Sequence, residues 1–272
     1  MKQKPLTNDD IKKIELNILD EFVDFCKKNN LKYYLAYGTL LGAVRHNGFI
    51  PWDDDIDIGM LRNDYNKMIK ILQSNNNCIT EYIKIKTPYS KNYQYPFSKI
   101  LDTRTYIQEK NMKKKYTTSV WIDIFPIDFL PENDNKAIKF IYKIKRMRKY
   151  LFYSFEEKYV GGTLLKKIFG FFIIPIISFF YQTFEIKKII DKKAQKYNNS
   201  NSNKFAFIIN GDAQKTIFPN EQLEQDYYSF ENKMYSSFKN YELYLTKLYG
   251  NWREIPPEEA RIAHSLDAYL ID

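Results

Sequence analysis

Residues 38–57 read GTLLGAVRHNGFIPWDDDID, and this stretch decides the interpretation of the chain. Its acidic end places four carboxylates within five positions, at Asp53, Asp54, Asp55 and Asp57. Residues two apart in a strand face the same side, so Asp55 and Asp57 are expected to point together while Ile56 faces the core. Such a carboxylate pair at the end of a strand suits Mg²⁺, with Mn²⁺ as an alternative, because Mg²⁺ binds one or two carboxylates plus substrate phosphates.

The glycine end of the same stretch supports a site for a phosphate. Gly38-Thr39 is predicted to form a turn whose backbone approaches a phosphate closely. Asp53 and Asp54, in the loop before the strand, are further candidates for substrate binding. A solvated acidic turn without function is the alternative. We favour a functional site because the glycine turn and the acidic run lie one short loop apart.

A third carboxylate is predicted at Asp123. Residues 121–128 read WIDIFPID, an alternating strand that would expose Asp123 and Trp121 on one face. One acid in an otherwise apolar strand suggests that it shares a metal site with the first pair. The alternative is an N-cap or a salt-bridged residue at a sheet edge.

The runs GTLLGAVRH, PWDDDID and IDIFP closely resemble the LicD family. Its members are phosphorylcholine transferases of bacterial surface glycans such as lipopolysaccharide, teichoic acid or capsule, and they share a domain with the fukutin-type ribitol-phosphate transferases. The resemblance is highly specific over residues 33–60, looser at 97–100 and 121–128, and returns at 249–250 and 256–264. The family usually has a lysine where this chain has Ala260, which removes one terminal phosphate contact but leaves the metal site untouched.

The resemblance implies a nucleotidyltransferase-like fold in which Asp55, Asp57 and Asp123 hold Mg²⁺ beside the donor phosphates. The implied donor is a CDP-alcohol, with CDP-choline favoured, and the implied acceptor is a hydroxyl of a surface glycan that can be lipid-linked. CMP would leave, and Asp123 would act as the third ligand or as the base. Two alternatives stay open: transfer of NMP from an NTP, and a non-catalytic basic protein that binds membranes or nucleic acid.

Further candidates for substrate binding are basic or aromatic residues near these motifs. Some are cations suited to phosphate contacts, some are the chain's two histidines, and some are tryptophans that can hold choline by a cation–π contact. Core packing or a surface charge is the alternative for each of them. The cations are Arg45, Lys99 and Arg261. The histidines are His46 and His264, and the tryptophans are Trp52 and Trp121.

The net charge of +9 is concentrated in the middle of the chain. Residues 136–200 carry 15 basic and 4 acidic side chains, and they enclose an uncharged run at 168–181. This run is too short to cross a bilayer. Lys166, Lys167, Lys187 and Lys188 bracket it, which favours contact with an anionic membrane surface over about 163–190. A buried core helix is the alternative, and without a nucleic-acid motif no nucleic-acid partner is expected.

The fold class predicted from these patterns is α+β. A mixed-sheet catalytic core is expected over residues 1–135 and a mostly helical portion over 136–272. Helices are predicted at 11–25, 40–45, 63–72 and 240–249, and strands at 32–37, 56–58, 79–85, 96–101, 103–107, 120–125 and 204–209. The N-terminus lacks a signal-peptide pattern and there are two cysteines, Cys26 and Cys78. A cytoplasmic protein, peripheral at the inner face of the membrane, is therefore expected.

Overall fold

The computed structural model describes residues 3–107, 117–155, 175–176, 179–180, 185–210, 213–261 and 267–271. Its helices are α1 (Asn8–Lys28), α2 (Tyr37–His46), α3 (Arg62–Ser74), α4 (Asp134–Tyr153), α5 (Ile186–Ala194) and α6 (Tyr241–Tyr249). Its strands are β1 (Gln3–Pro5), β2 (Tyr34–Leu35), β3 (Asp57–Leu61), β4 (Ile83–Lys86), β5 (Ser98–Asp102), β6 (Thr105–Ile107), β7 (Trp121–Phe129), β8 (Lys204–Ala206), β9 (Phe218–Pro219), β10 (Gln225–Phe230), β11 (Lys233–Phe238) and β12 (Ala268–Ile271).

A mixed sheet with flanking helices forms the centre of the fold, which confirms the predicted α+β class. Its main path runs β10-β11-β2-β3-β7-β5-β4, and β8 and β9 extend it from β7. The central pair, β3 and β7, is parallel, whereas β2 and β5 run antiparallel to their inner neighbours. A smaller antiparallel sheet, β1-β12-β6, joins β1 and β12, near the two ends of the chain, with β6 from its middle.

Helix α1 forms as its sequence pattern predicts. The Thr7 side chain accepts a hydrogen bond from the Asp10 backbone, and the Asp10 carboxylate accepts one from the Thr7 backbone, which is a capping box. Its apolar residues recur at helical spacing, so Ile11, Ile18 and Phe22 all lie in the core without exposed surface.

The segment after β2 differs from the prediction. Gly38 and Thr39 were expected in a turn, but both lie in the first turn of α2, which begins at Tyr37. The strand predicted over 32–37 is correspondingly short. The backbone hydrogen bond from Ala36 N to Asp57 O, 2.9 Å, ends the pairing of β2 with β3, and α2 begins at the next residue. Gly42 permits a close approach inside this unit, because a Cβ there would lie 2.4 Å from the Gly48 carbonyl oxygen.

The other predicted strands occur with shifted ends, whereas β1 and β9 to β12 were not predicted. β7 extends beyond residue 125 to Phe129, while β4, β6 and β8 are shorter than the apolar runs that contain them. The run at 204–209 shows why. Phe207, Ile208 and Ile209 are buried in the core, but the chain has already left the ladder at Ala206.

Helix α5 contradicts part of the membrane-surface prediction. Lys187 was expected to face lipid headgroups, yet only 8% of it is exposed. Its ammonium donates to the carbonyl oxygens of Ser90, at 2.7 Å, and Tyr93, at 2.5 Å. Lys187 therefore attaches α5 to the core, whereas Lys188 pairs with Glu185 near the surface. Lys166 and Lys167 lie outside the described residues.

The sheet crosses the predicted boundary at residue 135. β8 to β11 come from the second half of the chain and pair directly or through one another with strands of the first half. The division at 135 stays a prediction. No helix within the described ranges has the length and apolar content needed to cross a bilayer.

Candidate active site

Three predicted site residues lie side by side on neighbouring strands. Asp57 on β3 is the register partner of Asp123 on β7, and Asp123 is the register partner of Lys99 on β5. The Lys99 ammonium lies 3.3 Å from Asp123 Oδ1. Since directly paired residues of adjacent strands project to the same face, the sheet brings the two carboxylates and one cation together.

The backbone around Asp57 is tightly fixed. Its N–H donates to the Thr39 hydroxyl oxygen at 2.8 Å, and its carbonyl oxygen accepts from Ala36 N at 2.9 Å. Thr39 is 2% exposed, so its hydroxyl holds the first residue of β3 from within the protein. The structure thus shows Thr39 holding the Asp57 backbone, and its role beside a phosphate stays a prediction.

The carboxylates of this site raise one another's pKa. Burial raises the pKa of Asp55 to about 8, with further contributions from Asp53 and Asp123. Burial also raises the pKa of Asp57 well above its usual range, and Asp55 and Asp123 add to the rise. Lys99 acts in the opposite direction on Asp57. Concentrated negative charge of this kind attracts a cation.

Asp53 and Asp54 precede Asp55 and Asp57 along the chain, but their carboxylates lie in different surroundings. A Cβ at Gly38 would lie 2.7 Å from Asp53 Oδ2, so the Asp53 carboxylate occupies the approach to the α2 N-terminus that was assigned to a phosphate. A carboxylate there is favoured by the partial positive charge of the helix end. Asp54 is only 4% exposed and therefore belongs to the buried side of the loop.

Glu15 is an acidic neighbour of the site that the sequence interpretation missed. It lies on α1 and is 3% exposed. Burial raises its pKa well above the usual range, and Asp55, Asp54 and Asp123 add to the rise. The signal was present in the sequence, because Glu15 interrupts the apolar stripe formed by Ile11, Ile18 and Phe22.

The residues present fit a divalent cation whose coordination is completed by substrate oxygens and water. Within the described ranges, no three acidic, histidine or cysteine side chains form a ready metal cage. Mg²⁺ does not require one, since it usually takes one or two protein carboxylates together with substrate phosphates and water. The in-register pair Asp57 and Asp123 would provide that donor set.

Both tryptophans that were predicted to bind choline already make cation–π contacts with cationic side chains of this chain. Lys99 lies 3.6 Å from the Trp121 ring centroid and 4.4 Å from that of Tyr95. The Arg261 guanidinium lies 4.7 Å from the Trp52 centroid, and that of Arg45 lies 6.0 Å from it. One face of each indole is therefore engaged in an internal cation–π contact.

Trp52 is the centre of a second group of predicted residues. Arg45 Nε donates to His46 Nε2 at 2.9 Å, and an Arg45 terminal nitrogen donates to the Trp252 carbonyl oxygen at 2.7 Å. Burial and Arg45 lower the pKa of His46, which favours a neutral imidazole. Arg45 thus ties α2 to the segment after α6. His264 lies outside the described residues.

Comparison with known proteins fits this geometry. Residues 30–161 match the family model described as LicD/FKTN/FKRP, nucleotidyltransferase domain. The lipopolysaccharide cholinephosphotransferase LicD of Haemophilus influenzae is 30% identical over 277 residues, which cover 98% of this chain and all of that protein. The chain belongs to the LicD family. The similarity therefore includes both the sheet with its carboxylates and the C-terminal half.

Two further relatives of this LicD-family chain match shorter regions. An uncharacterized protein of Rickettsia prowazekii is 36% identical over 129 residues, 47% of this chain and 43% of that protein. Human ribitol 5-phosphate transferase FKRP is 50% identical over 34 residues, which are 12% of this chain and 7% of that protein.

Proposed function

We propose that this chain is a Mg²⁺-dependent phosphotransferase that moves phosphocholine from CDP-choline to a hydroxyl of a bacterial surface glycan. The observation that carries the proposal is the in-register pair Asp57 and Asp123, with Lys99 beside it, in a protein whose full-length relative is a lipopolysaccharide cholinephosphotransferase. The match to a ribitol 5-phosphate transferase supports the wider class, transfer of a phosphorylated alcohol.

The reaction forms one P–O bond and breaks another. The acceptor hydroxyl attacks the phosphorus that bears choline, the bond to the bridging oxygen breaks, and CMP leaves with that oxygen. The hydroxyl proton passes to a base or to solvent. When bound, Mg²⁺ neutralises charge on the transferring and leaving oxygens.

The side chains supply the positioning for this reaction. Asp55, Asp57 and Asp123 would hold the metal. Lys99 keeps Asp123 in place, with 3.3 Å between its ammonium and Oδ1. Because this ion pair engages one oxygen of Asp123, we assign Asp123 to metal and donor binding rather than to proton abstraction.

A donor panel tests the proposal. CDP-choline, CDP-ribitol, CDP-glycerol and CDP-ethanolamine are incubated with the protein, Mg²⁺ and a lipopolysaccharide acceptor, and CMP release is measured. We expect CMP from CDP-choline at the highest rate. Pyrophosphate release from CTP would instead identify a nucleotidyltransferase, the activity after which the matched domain is named. Release from none of these donors would favour a non-catalytic binding protein.

We propose in addition that residues near 175–180 contact an anionic membrane surface. The described residues there are apolar and exposed: Ile176 is 55% exposed, Phe179 67% and Phe180 49%. The surrounding segment, 136–200, has 15 basic and 4 acidic side chains, a balance that suits anionic headgroups. A lipid-linked acceptor would be reached from this position.

Phe179→Ser combined with Phe180→Ser should weaken co-sedimentation with vesicles that contain phosphatidylglycerol. The reason is the loss of aromatic surface that would enter the interface. Tyr227→Ser is the matched control, because Tyr227 is 61% exposed on β10 and should not affect binding. Equal binding by the double variant and the wild-type protein would contradict the membrane contact. Lys187 is unsuitable for such a test because it is buried.

A further inference from the structure

A pocket of about 520 Å³ is lined by residues to which no role has been assigned. Two of them, Tyr37 and Tyr249, interact electrostatically with Asp57 of the acidic site. The volume of the pocket falls within the range typical of small-molecule sites. Lys145 and Arg148 line it from α4, and Lys215 lines it from the segment after β8. Among the described lining residues, these three are cationic and the other four are neutral.

One wall of the pocket is held in place by Arg148. A terminal nitrogen of its guanidinium donates to the Ile209 carbonyl oxygen at 2.8 Å and lies 3.4 Å from Asn210 Oδ1. Arg148 thereby connects α4 to the segment after β8, and Asn210 is itself a lining residue. A cation fixed in this way loses little conformational freedom when it receives an anion.

Another lining residue, Tyr37, connects the pocket to β3, the strand that carries Asp57. Tyr37 stands two positions before Thr39, whose hydroxyl holds the Asp57 N–H. Tyr37 begins α2 with φ of +46°, a left-handed conformation that is strained for a bulky residue and is often found at functional sites. Burial and Tyr244 raise the pKa of Tyr37, and the Asp57 carboxylate adds to the rise.

We propose that this pocket receives the phosphate of the nucleotide half of the donor, with Lys145, Arg148 and Lys215 as its cationic contacts. The inference rests on the proposed function, in which the donor is a CDP-alcohol. Cations bind phosphate oxygens by charge-assisted hydrogen bonds, and they repel a quaternary ammonium. The donor is thereby oriented, with its CMP end in the basic pocket and its choline end directed away from it.

Titration calorimetry of CMP and of cytidine into the full chain tests this assignment. Lys145→Ala combined with Lys215→Ala should weaken CMP binding by about tenfold or more, because charged hydrogen bonds are lost. Cytidine binding should not change, since cytidine has no phosphate. Lys143→Ala combined with Lys149→Ala is the matched control, because both residues are exposed on α4 outside the pocket lining.

Unchanged CMP affinity in the pocket variant would overturn the assignment, and so would an equal loss of affinity for cytidine. Undetectable CMP binding to the wild-type protein would also overturn it. These outcomes are separate from the proposed function. CMP release from CDP-choline at the wild-type rate by the pocket variant would refute the pocket alone. Pocket-dependent CMP binding without release from any CDP-alcohol would refute the proposed reaction alone.

Discussion

Asp57→Asn is expected to lower the rate of phosphocholine transfer by about 10²- to 10³-fold, the loss typical when a preorganised electrostatic group is removed from an active site. Asp57 is the register partner of Asp123, and its N–H is fixed by Thr39. The asparagine keeps the shape of the side chain but removes the negative charge that would hold Mg²⁺. The measurement is CMP release at saturating CDP-choline.

The fold should survive this substitution. Burial and the carboxylates of Asp55 and Asp123 raise the pKa of Asp57, so removal of its charge relieves repulsion. We expect the thermal unfolding midpoint of Asp57→Asn to equal or exceed that of the wild-type protein in metal-free buffer. Asp24→Asn is the matched control, since its carboxylate is 64% exposed on α1. Full turnover by Asp57→Asn and by Asp55→Asn would refute the metal site.

Arg62→Ala is expected to destabilise the protein by about 3–5 kcal/mol, because it leaves buried charges without a partner. Arg62 is 3% exposed, and its guanidinium donates to both Asp128 oxygens and to Asp191 Oδ1, each at 2.7 Å. Asp128 and Asp191 are themselves fully or almost fully buried. The ion pairs connect the start of α3, the end of β7 and α5.

Urea unfolding followed by circular dichroism measures this loss. Arg253→Ala is the matched control, because Arg253 pairs with Glu242 where both side chains are about half exposed, and its unfolding midpoint should hardly move. A similar small change for Arg62→Ala would show that the buried ion pairs do not hold α5 to the sheet.

The sequence was most informative where its signals are local. Helix α1 has a capping box and apolar residues at helical spacing, and both operate within a few residues of one another. Asp123 was predicted to share a site with Asp55 and Asp57 because it is the one acid in an otherwise apolar strand, and the register of β3 with β7 places it beside Asp57. The roles assigned to these residues stay predictions.

The structure differs from the predictions made from the sequence where contacts join distant parts of the chain. Gly38 and Thr39 were expected in a turn because glycine often marks turns and loops. Instead, α2 begins at Tyr37, directly after the backbone hydrogen bond between Ala36 and Asp57. Lys187 was assigned to a membrane surface because it flanks an apolar run. In the structure it is buried, and its ammonium donates to the carbonyl oxygens of Ser90 and Tyr93. The basic pocket joins residues 145, 148 and 215, which no local pattern connects.

Phosphorus NMR of the protein with CDP-choline, Mg²⁺ and a lipopolysaccharide acceptor that lacks phosphocholine tests the proposed phosphocholine transfer. We expect the two diphosphate resonances of CDP-choline to disappear while a CMP resonance and a phosphodiester resonance on the acceptor appear. This conversion should depend on Mg²⁺ and on Asp57. Persistence of CDP-choline and the other CDP-alcohols, with pyrophosphate formed from CTP instead, would contradict it.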